Sequence, residues 1–280
     1  MTLTELFTSI ADKIREWHEW APEKIKATDF PREIEIACNE REILGHDLGM
    51  YEGIEAGKQE EHDIFWDRYQ ENGNRTHYYM AFNSTGTTAW WYDNFKPKYD
   101  FKINHAQYMF YGFGALINEP FDLKQHLDNL GIGFDTTECQ SFMQAFINST
   151  ISHIPYLDCT AALGDRLVDA FRNCQYLETI DGMKTKAETP FSNTFLYCYK
   201  LKNISFDGVI GQNISFHTSP LLTAASLRSI LSTLSKNTTQ ANGKTLTLNT
   251  ASKAVIEADT TCSEQLALAV SAGWTVAYNS

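Results

Sequence analysis

The 280-residue sequence lacks the runs of residues that mark a membrane protein or a nucleic-acid-binding surface. No stretch reaches the roughly 18 to 20 apolar residues that a membrane-spanning helix needs. Basic residues are few and scattered, since 23 Lys and Arg stand against 35 Asp and Glu and give a net charge of −12. Because nucleic-acid binding needs clustered positive charge, we expect neither a nucleic-acid partner nor insertion into a membrane.

Paired cysteines and a secretory leader are also missing. The six cysteines are widely spaced and none form a Cys-x-x-Cys pair, which argues against a zinc site and against a small disulfide scaffold. The first twenty residues show no basic segment followed by an unbroken apolar run, which a secretory signal would have. We therefore predict no metal and expect the protein to be made in a cytoplasm.

Catalytic motifs are absent as well. The sequence has no glycine-rich phosphate loop and no Gly-x-Ser-x-Gly nucleophile elbow. We predict a protein that is not an enzyme, with no catalytic residues and no cofactor. One enzymatic alternative stays open, because a pair of carboxylates spaced for glycoside hydrolysis would leave no recognisable pattern among 35 acidic residues.

The N-terminal segment is apolar at helical spacing. Residues 2–20 are predicted to form an amphipathic helix that ends before Pro22. Two interpretations are open: an ordinary packed helix, or a helix that docks onto a partner or a second copy of the chain. The residues on its apolar face are Leu3, Leu6, Phe7, Ile10, Ile14 and Trp17.

An aromatic-rich region follows. A second helix is predicted over about 46–71, and strands over 76–103. A cluster of flat aromatic rings with one acid and one amide follows a polar turn, and sugar-binding surfaces have this composition. Packing of a strand would also explain the adjacent tryptophans, because neighbouring side chains of a strand point to opposite faces. The cluster, our candidate ligand-binding site, comprises Trp90, Trp91, Tyr92, Asp93 and Asn94.

The segment FSNTFLYCYKLKNISF, 191–206, has apolar residues spaced first as in one helical turn and then as in a short strand. The same pattern occurs 24 residues earlier, and a looser third copy with one extra residue runs through Phe142, Phe146, Ile151 and Ile154. A period of 20 to 29 residues with one strand per unit predicts a leucine-rich solenoid. Its predicted core residues are Leu167, Phe171, Cys174, Leu177 and Ile180 in one unit and Phe191, Phe195, Cys198, Leu201 and Ile204 in the next.

The C-terminal region predicts a cap. A helix is expected over 219–234, a strand over 243–249, and a short helix with a final strand over 263–277. The fold class we predict is α+β: a short leucine-rich-repeat solenoid with an N-terminal helical and strand region and a C-terminal α/β cap.

We divide the chain into four parts. Residues 1–42 are assigned to attachment or oligomerisation, and 43–105 to a helix with aromatic-rich strands. The solenoid is assigned to 106–218 and the cap to 219–280.

The repeat resembles the BspA-type bacterial leucine-rich repeats, whose units follow F-x-x-C-x-x-L-x-x-I. Here the matching segments are FRNCQYLETI, 171–180, and FLYCYKLKNI, 195–204. The flanking segments SIADKIREW, 9–17, and FWDRYQENGNRTHYYMAF, 65–82, are similar to parts of leucine-rich-repeat proteins of tailed phages and prophages of gut Firmicutes. The chain departs from that pattern at 16–19, where Glu-Trp-His-Glu replaces the usual Lys-Thr-Gly-Thr.

The resemblance implies a non-catalytic structural protein of the phage virion, located in the tail, the baseplate or a head fibre. Such a protein would attach to other virion proteins and present a binding surface to a host cell-surface protein or glycan, for receptor binding and host attachment. It would form a homo-oligomer, with a trimer as the expectation. Two alternatives stay open: a bacterial cell-surface leucine-rich-repeat adhesin, and a purely structural decoration protein of the virion.

Overall fold

The computed structural model describes residues 66–67, 69–82, 95–162, 164–236 and 243–279, all within one unit, Trp66–Ser280. The predicted N-terminal helix and the Trp90–Asn94 cluster lie outside these residues. In the described ranges the fold is a mixed α/β arrangement of four helices and ten strands, and every paired strand is parallel. The predicted combination of helices and strands is confirmed at this level.

The strands and helices are short. The strands are β1 Phe101–Lys102, β2 Phe121–Asp122, β3 Phe134–Asp135, β4 Ile151–Ile154, β5 Leu157–Asp158, β6 Thr179–Thr185, β7 Asn203–Gly208, β8 Ile214–Phe216, β9 Thr245–Asn249 and β10 Thr275–Asn279. The helices are α1 Leu123–Leu130, α2 Ala224–Ser235, α3 Thr250–Ala258 and α4 Thr260–Ser271. Within the described residues, a 3₁₀ turn, Glu71–Gly73, precedes these elements.

Residues one repeat apart pair in the main sheet. β6 pairs with β7 so that Ile180 lies opposite Ile204, and on its other edge with β4 and then β5. β4 and β5 belong to one pass of the chain, which Pro155 interrupts because proline cannot donate to the ladder. β2 extends the sheet beyond β4, while β1 and β3 form a separate pair. The same residue of successive units therefore meets across the sheet.

We call each pass of the chain a rung: a run of turns followed by a strand or, in the last pass, which begins at Phe216 at the end of β8, by helix α2. Each rung contributes one phenylalanine to a stack of nearly parallel rings in the core. Neighbouring ring centroids are 4.6 to 5.6 Å apart, and the ring planes differ by 14° to 25°. The stacked residues are Phe82, Phe110, Phe146, Phe171, Phe195 and Phe216.

The helical turn predicted before each strand is wrong, because this segment is a run of consecutive turns. In the rung of Phe171, Asp169 and Asn173 adopt left-handed backbone with φ of 56° and 58°. These residues turn their N–H groups towards the next rung, where Asp169 donates to Ser192 O at 3.1 Å. The N–H groups between them form hydrogen bonds within the same run of turns; for example, Arg172 N–H donates to Asp169 O. Such turns repeat at the three- and four-residue spacing of a helix, which explains the error.

The region before residue 105 also differs from the prediction. Of the strands expected over 76–103, the described residues contain β1 and an isolated bridge between His77 and His105. Tyr78–Phe82 form turns instead, because they build the rung of Phe82. Of the helix expected over 46–71, only its last residues are described, and Trp66, Asp67 and Tyr69 are helical.

The C-terminal end contains α2, α3 and α4 with a three-stranded sheet in the order β10-β9-β8. α2 begins at its cap Thr223, whose side chain accepts from Ser226 N–H. Its apolar face is fully buried through Leu227, Ile230, Leu231 and Leu234. β9 and β10 lie where strands were predicted, whereas α3 was not predicted. Among the described residues, no helix has the length and apolar character to cross a bilayer.

Candidate functional site

Exposed tyrosines gather where the runs of turns lead into the strands. Tyr197 and Tyr199 are 39% and 47% exposed, and their ring centroids are 5.9 Å apart with planes at 36°. On the neighbouring rung, the hydroxyl of Tyr176 donates to Asn118 O at 2.7 Å. The Nζ of Lys200 lies 4.4 Å from the centroid of the Tyr176 ring.

Rung stacking positions these side chains. Tyr176 and Lys200 each lie five residues after the stacked phenylalanine of their rungs, and Leu221 holds the same place in the next rung. Leu221 is 48% exposed, so the row continues as an apolar surface. We call the set Tyr176, Tyr197, Tyr199, Lys200 and Leu221 the tyrosine patch.

The backbone of Tyr197 is unusual for its residue type. Its φ is 65°, in the left-handed region, and the same place two residues after the stacked phenylalanine holds Asn173 at 58°, Asn148 at 60° and Gly112 at 66°. Asparagine and glycine suit this conformation, whereas a bulky residue is disfavoured by roughly 1 to 2 kcal/mol. Asn would therefore suit position 197 better than Tyr, although the fold also holds a left-handed tyrosine at Tyr108, with φ of 57°.

The tyrosine patch is suited to binding rather than to catalysis. Tyrosine rings offer large, rigid contact area with a hydroxyl that can hydrogen-bond, and they lose little side-chain entropy on binding. Lys200 adds one positive charge beside the rings. Its five residues therefore offer aromatic and apolar contact area, tyrosine hydroxyls and one positive charge.

The exposed side of the main sheet carries a second polar cluster. His153 lies between two carboxylates, with Nε2 2.6 Å from Asp181 Oδ1 and Nδ1 3.4 Å from Asp122 Oδ1. Further along the same pass of the chain, Lys184 Nζ contacts Asp158 Oδ2 at 3.1 Å. These groups come from adjacent strands and satisfy one another, which fits a structural role in holding the rungs together.

The electrostatics of Asp158 agree with that role. Burial would raise the pKa of this carboxyl, but hydrogen bonds from Thr160 and Lys184 outweigh it and hold the pKa below its ordinary value. The side chain therefore stays ionised, paired and unavailable as a proton donor. Among the residues that the structure describes, no group of three His, Cys, Asp or Glu side chains is placed to hold a metal ion.

The repeat cysteines are buried and unreactive. Cys174 Sγ donates to Phe146 O at 2.8 Å, and Cys198 Sγ donates to Phe171 O at 3.0 Å, each reaching the preceding rung. Burial raises the pKa of Cys174 to about 12 and that of Cys198 well above its ordinary value. These thiols act as hydrogen-bond donors that join rungs, not as nucleophiles.

The residues predicted from the sequence divide between the core and the undescribed region. All ten repeat-core residues, from Leu167 to Ile204, are buried. The candidate ligand site Trp90–Asn94 and the docking face of the N-terminal helix lie outside the described residues. The tyrosine patch was missed. Its one signal in the sequence was Tyr197 itself, at the place where the preceding unit has Asn173.

Comparisons with protein-family models, with curated proteins and with solved structures found no match to this chain.

Proposed function

We propose that this chain is a non-catalytic virion protein of a tailed phage, located in the tail, the baseplate or a head fibre. In this proposal its rungs form a short leucine-rich-repeat solenoid that presents a binding surface to the host cell. The repeat residues support the solenoid, since Ile180 lies opposite Ile204 and the Phe171 and Phe195 rings stack. The resemblance of FRNCQYLETI and FLYCYKLKNI to the BspA-type repeat supports the phage assignment.

The tyrosine patch is the observation that carries the binding role. An exposed Tyr197 in a left-handed conformation is less favourable for folding than Asn would be, which supports a function at the surface. Exposed tyrosines are typical anchors of protein recognition, and their flat rings with a hydroxyl also suit the face of a sugar. The proposed partner is therefore a host cell-surface protein or glycan.

A location in the virion implies two further kinds of partner, namely other virion proteins and further copies of this chain. Residues 1–42 would attach the chain to other virion proteins and to further copies of itself, with a trimer as the expected homo-oligomer. No cofactor, nucleic acid or membrane insertion is part of the proposal.

Two measurements test it. Mass spectrometry of purified phage particles, from a strain whose genome encodes this chain, should find it as a stoichiometric component. Labelled full-length chain should bind cells of a susceptible strain, and Tyr197→Asn should bind at least about tenfold more weakly if this ring is an anchor. Recovery of the chain from the cell wall, with none in particles, would support an adhesin instead. Normal infection by particles that lack the chain would support a decoration protein.

A further inference from the structure

A polar groove crosses three rungs at the edge where each strand leads into the following run of turns. Its volume is about 1130 Å³, and its polar lining includes Asn104 and His105 from one rung, Glu138 and Gln140 from the next, and Asp165 and Arg166 from the third. This edge differs from that of the tyrosine patch, which lies where the turns lead into the strands.

Backbone hydrogen bonds fix the three rungs that form the groove. Gln140 N–H donates to Asn104 O at 2.9 Å, and Phe142 N–H donates to Arg166 O at 2.8 Å. Neighbouring strands lie about 4.8 Å apart, so three rungs span roughly 10 Å. That width suits one or two sugar rings laid across the rungs.

Two polar atoms of the lining residues lack partners. His105 Nδ1 and Asn104 Oδ1 are buried and make no hydrogen bond to any described residue. Buried polar atoms almost always have a partner in a protein, in bound water or in a ligand. Both atoms are enclosed in this structure, so a ligand hydroxyl, which both donates and accepts, reaches them when the two side chains turn towards the groove.

The charge around the groove argues against an anionic ligand. Glu138 and Asp165 contribute two carboxylates, whereas Arg166 is the single guanidinium of the lining. Burial, the nearby His77 and Arg166 lower the pKa of His105, so its imidazole is neutral at neutral pH. A neutral imidazole suits an uncharged ligand rich in hydroxyl groups.

We propose that this groove binds a neutral, hydroxyl-rich ligand, namely one or two sugar units of a glycan. The source of that sugar, a host-cell glycan, rests on the proposed function, whereas sugar binding itself can be tested without it.

Saturation-transfer NMR on the full-length chain tests the proposal. The probes are glucose, galactose, mannose and N-acetylglucosamine, compared with N-acetylneuraminic acid and inorganic phosphate. At least one neutral sugar should bind and shift the ring ¹⁵N resonances of His105, and the two anions should bind more weakly.

Two variants and a matched control locate the site. His105→Phe keeps a ring against His77, whose centroid lies 4.5 Å away, but removes the ring nitrogens. It should fold and weaken sugar binding by about tenfold or more. Gln140→Ala changes only an exposed side chain of the rim and should also weaken binding. His77→Phe alters the stacked partner, which does not line the groove. Assayed at a pH where the His105 imidazole is neutral in both proteins, it should leave sugar affinity unchanged.

Three results would overturn the proposal: no transfer to any neutral sugar, stronger binding of the anions, or unchanged affinity in both groove variants. Loss of sugar binding in Tyr197→Asn but not in His105→Phe would place the sugar on the tyrosine patch and would also overturn it. Sugar binding by a chain that is missing from phage particles would leave the groove assignment intact and remove the virion role.

Discussion

The rings of Phe171 and Phe195, 24 residues apart in the chain, stack with centroids 5.6 Å apart and planes 17° from parallel. Their backbones are joined too, since Phe171 N–H donates to Thr194 O at 3.0 Å. Stacks of this kind gain stability mainly from contacts between neighbouring units. Each rung therefore depends on the two beside it, and the predictions below follow from that dependence.

Replacing Phe171 with Ala should lower the free energy of unfolding by about 3 to 5 kcal/mol, because a large buried side chain leaves a cavity. Its ring is fully buried between those of Phe146 and Phe195. Urea denaturation followed by circular dichroism measures the change. Tyr199→Ala, at an exposed site, should stay within about 0.5 kcal/mol of the wild type. Equal losses in both variants would argue against a ring stack that supports the fold.

Replacing Gly208 with Ala should destabilise the protein more than Gly131→Ala does. Both glycines have positive φ, at 90° and 68°, so both variants carry backbone strain of about 1 to 2 kcal/mol. Only at Gly208 would the added Cβ meet backbone, 2.1 Å from Thr185 O on the paired strand, whereas Gly131 has open space. We expect a further loss of about 1 to 3 kcal/mol for Gly208→Ala. Urea denaturation that ranks the two glycine variants equally would contradict the close approach of β6 and β7.

Alkaline pH should destabilise the protein through its buried thiols. The pKa of Cys174 is raised to about 12 by burial, from an ordinary value of 9.0. Between these values the unfolded chain loses the proton while the folded chain keeps it. The stabilisation is therefore complete below pH 9 and falls as pH rises, by about 1.4 kcal/mol per pH unit for one group.

The variant Cys174→Ser isolates this effect. Ser149 and Ser219 already hold the equivalent place in other rungs, each three residues after the stacked phenylalanine, so Ser should fit. Urea denaturation at a series of pH values above 9 should give a shallower decline for the variant than for the wild type. Parallel declines would show that the Cys174 thiol is not buried.

Replacing Tyr197 with Asn should stabilise the protein by about 0.5 to 1 kcal/mol, because Asn tolerates the left-handed backbone better than Tyr. The same variant should lose host-cell binding. Tyr199→Gln, which copies Gln175 of the preceding unit, is the control and should leave stability unchanged. Thermal unfolding in parallel with cell binding gives both readouts. A Tyr197→Asn protein that is less stable than the wild type would remove the argument for a function at this position.

The sequence was sufficient to predict the pairing of the two similar units, because the same Phe, Cys, Leu and Ile positions of Phe171–Ile180 recur 24 residues later in Phe195–Ile204. It was insufficient for the rungs of Phe82 and Phe110, whose intervals to the next stacked phenylalanine are 28 and 36 residues. The longer interval contains α1, which sits between Phe110 and Phe146 and hides the repeat.

The local geometry and the surface sites were harder to predict. Left-handed positions such as Asp169 and Asn193 are single residues within consecutive turns, and the turns place apolar residues three or four apart, so the segment resembles a helix in spacing. The tyrosine patch and the groove each draw residues from several rungs, and no short segment contains either. Their assembly depends on register between rungs, which became visible only in three dimensions.

Deleting whole and partial units tests the stacking of rungs most directly. Removal of residues 178–201 takes out one 24-residue unit and joins Leu177 to Lys202, so that β7 takes the place of β6 beside β4. Removal of residues 178–189 takes out half a unit and breaks the register. By circular dichroism during thermal unfolding, the whole-unit deletion should keep a cooperative transition at a lower temperature, and the half-unit deletion should lose it. A cooperative transition in the half-unit variant, or its loss in both, would contradict the stacked arrangement.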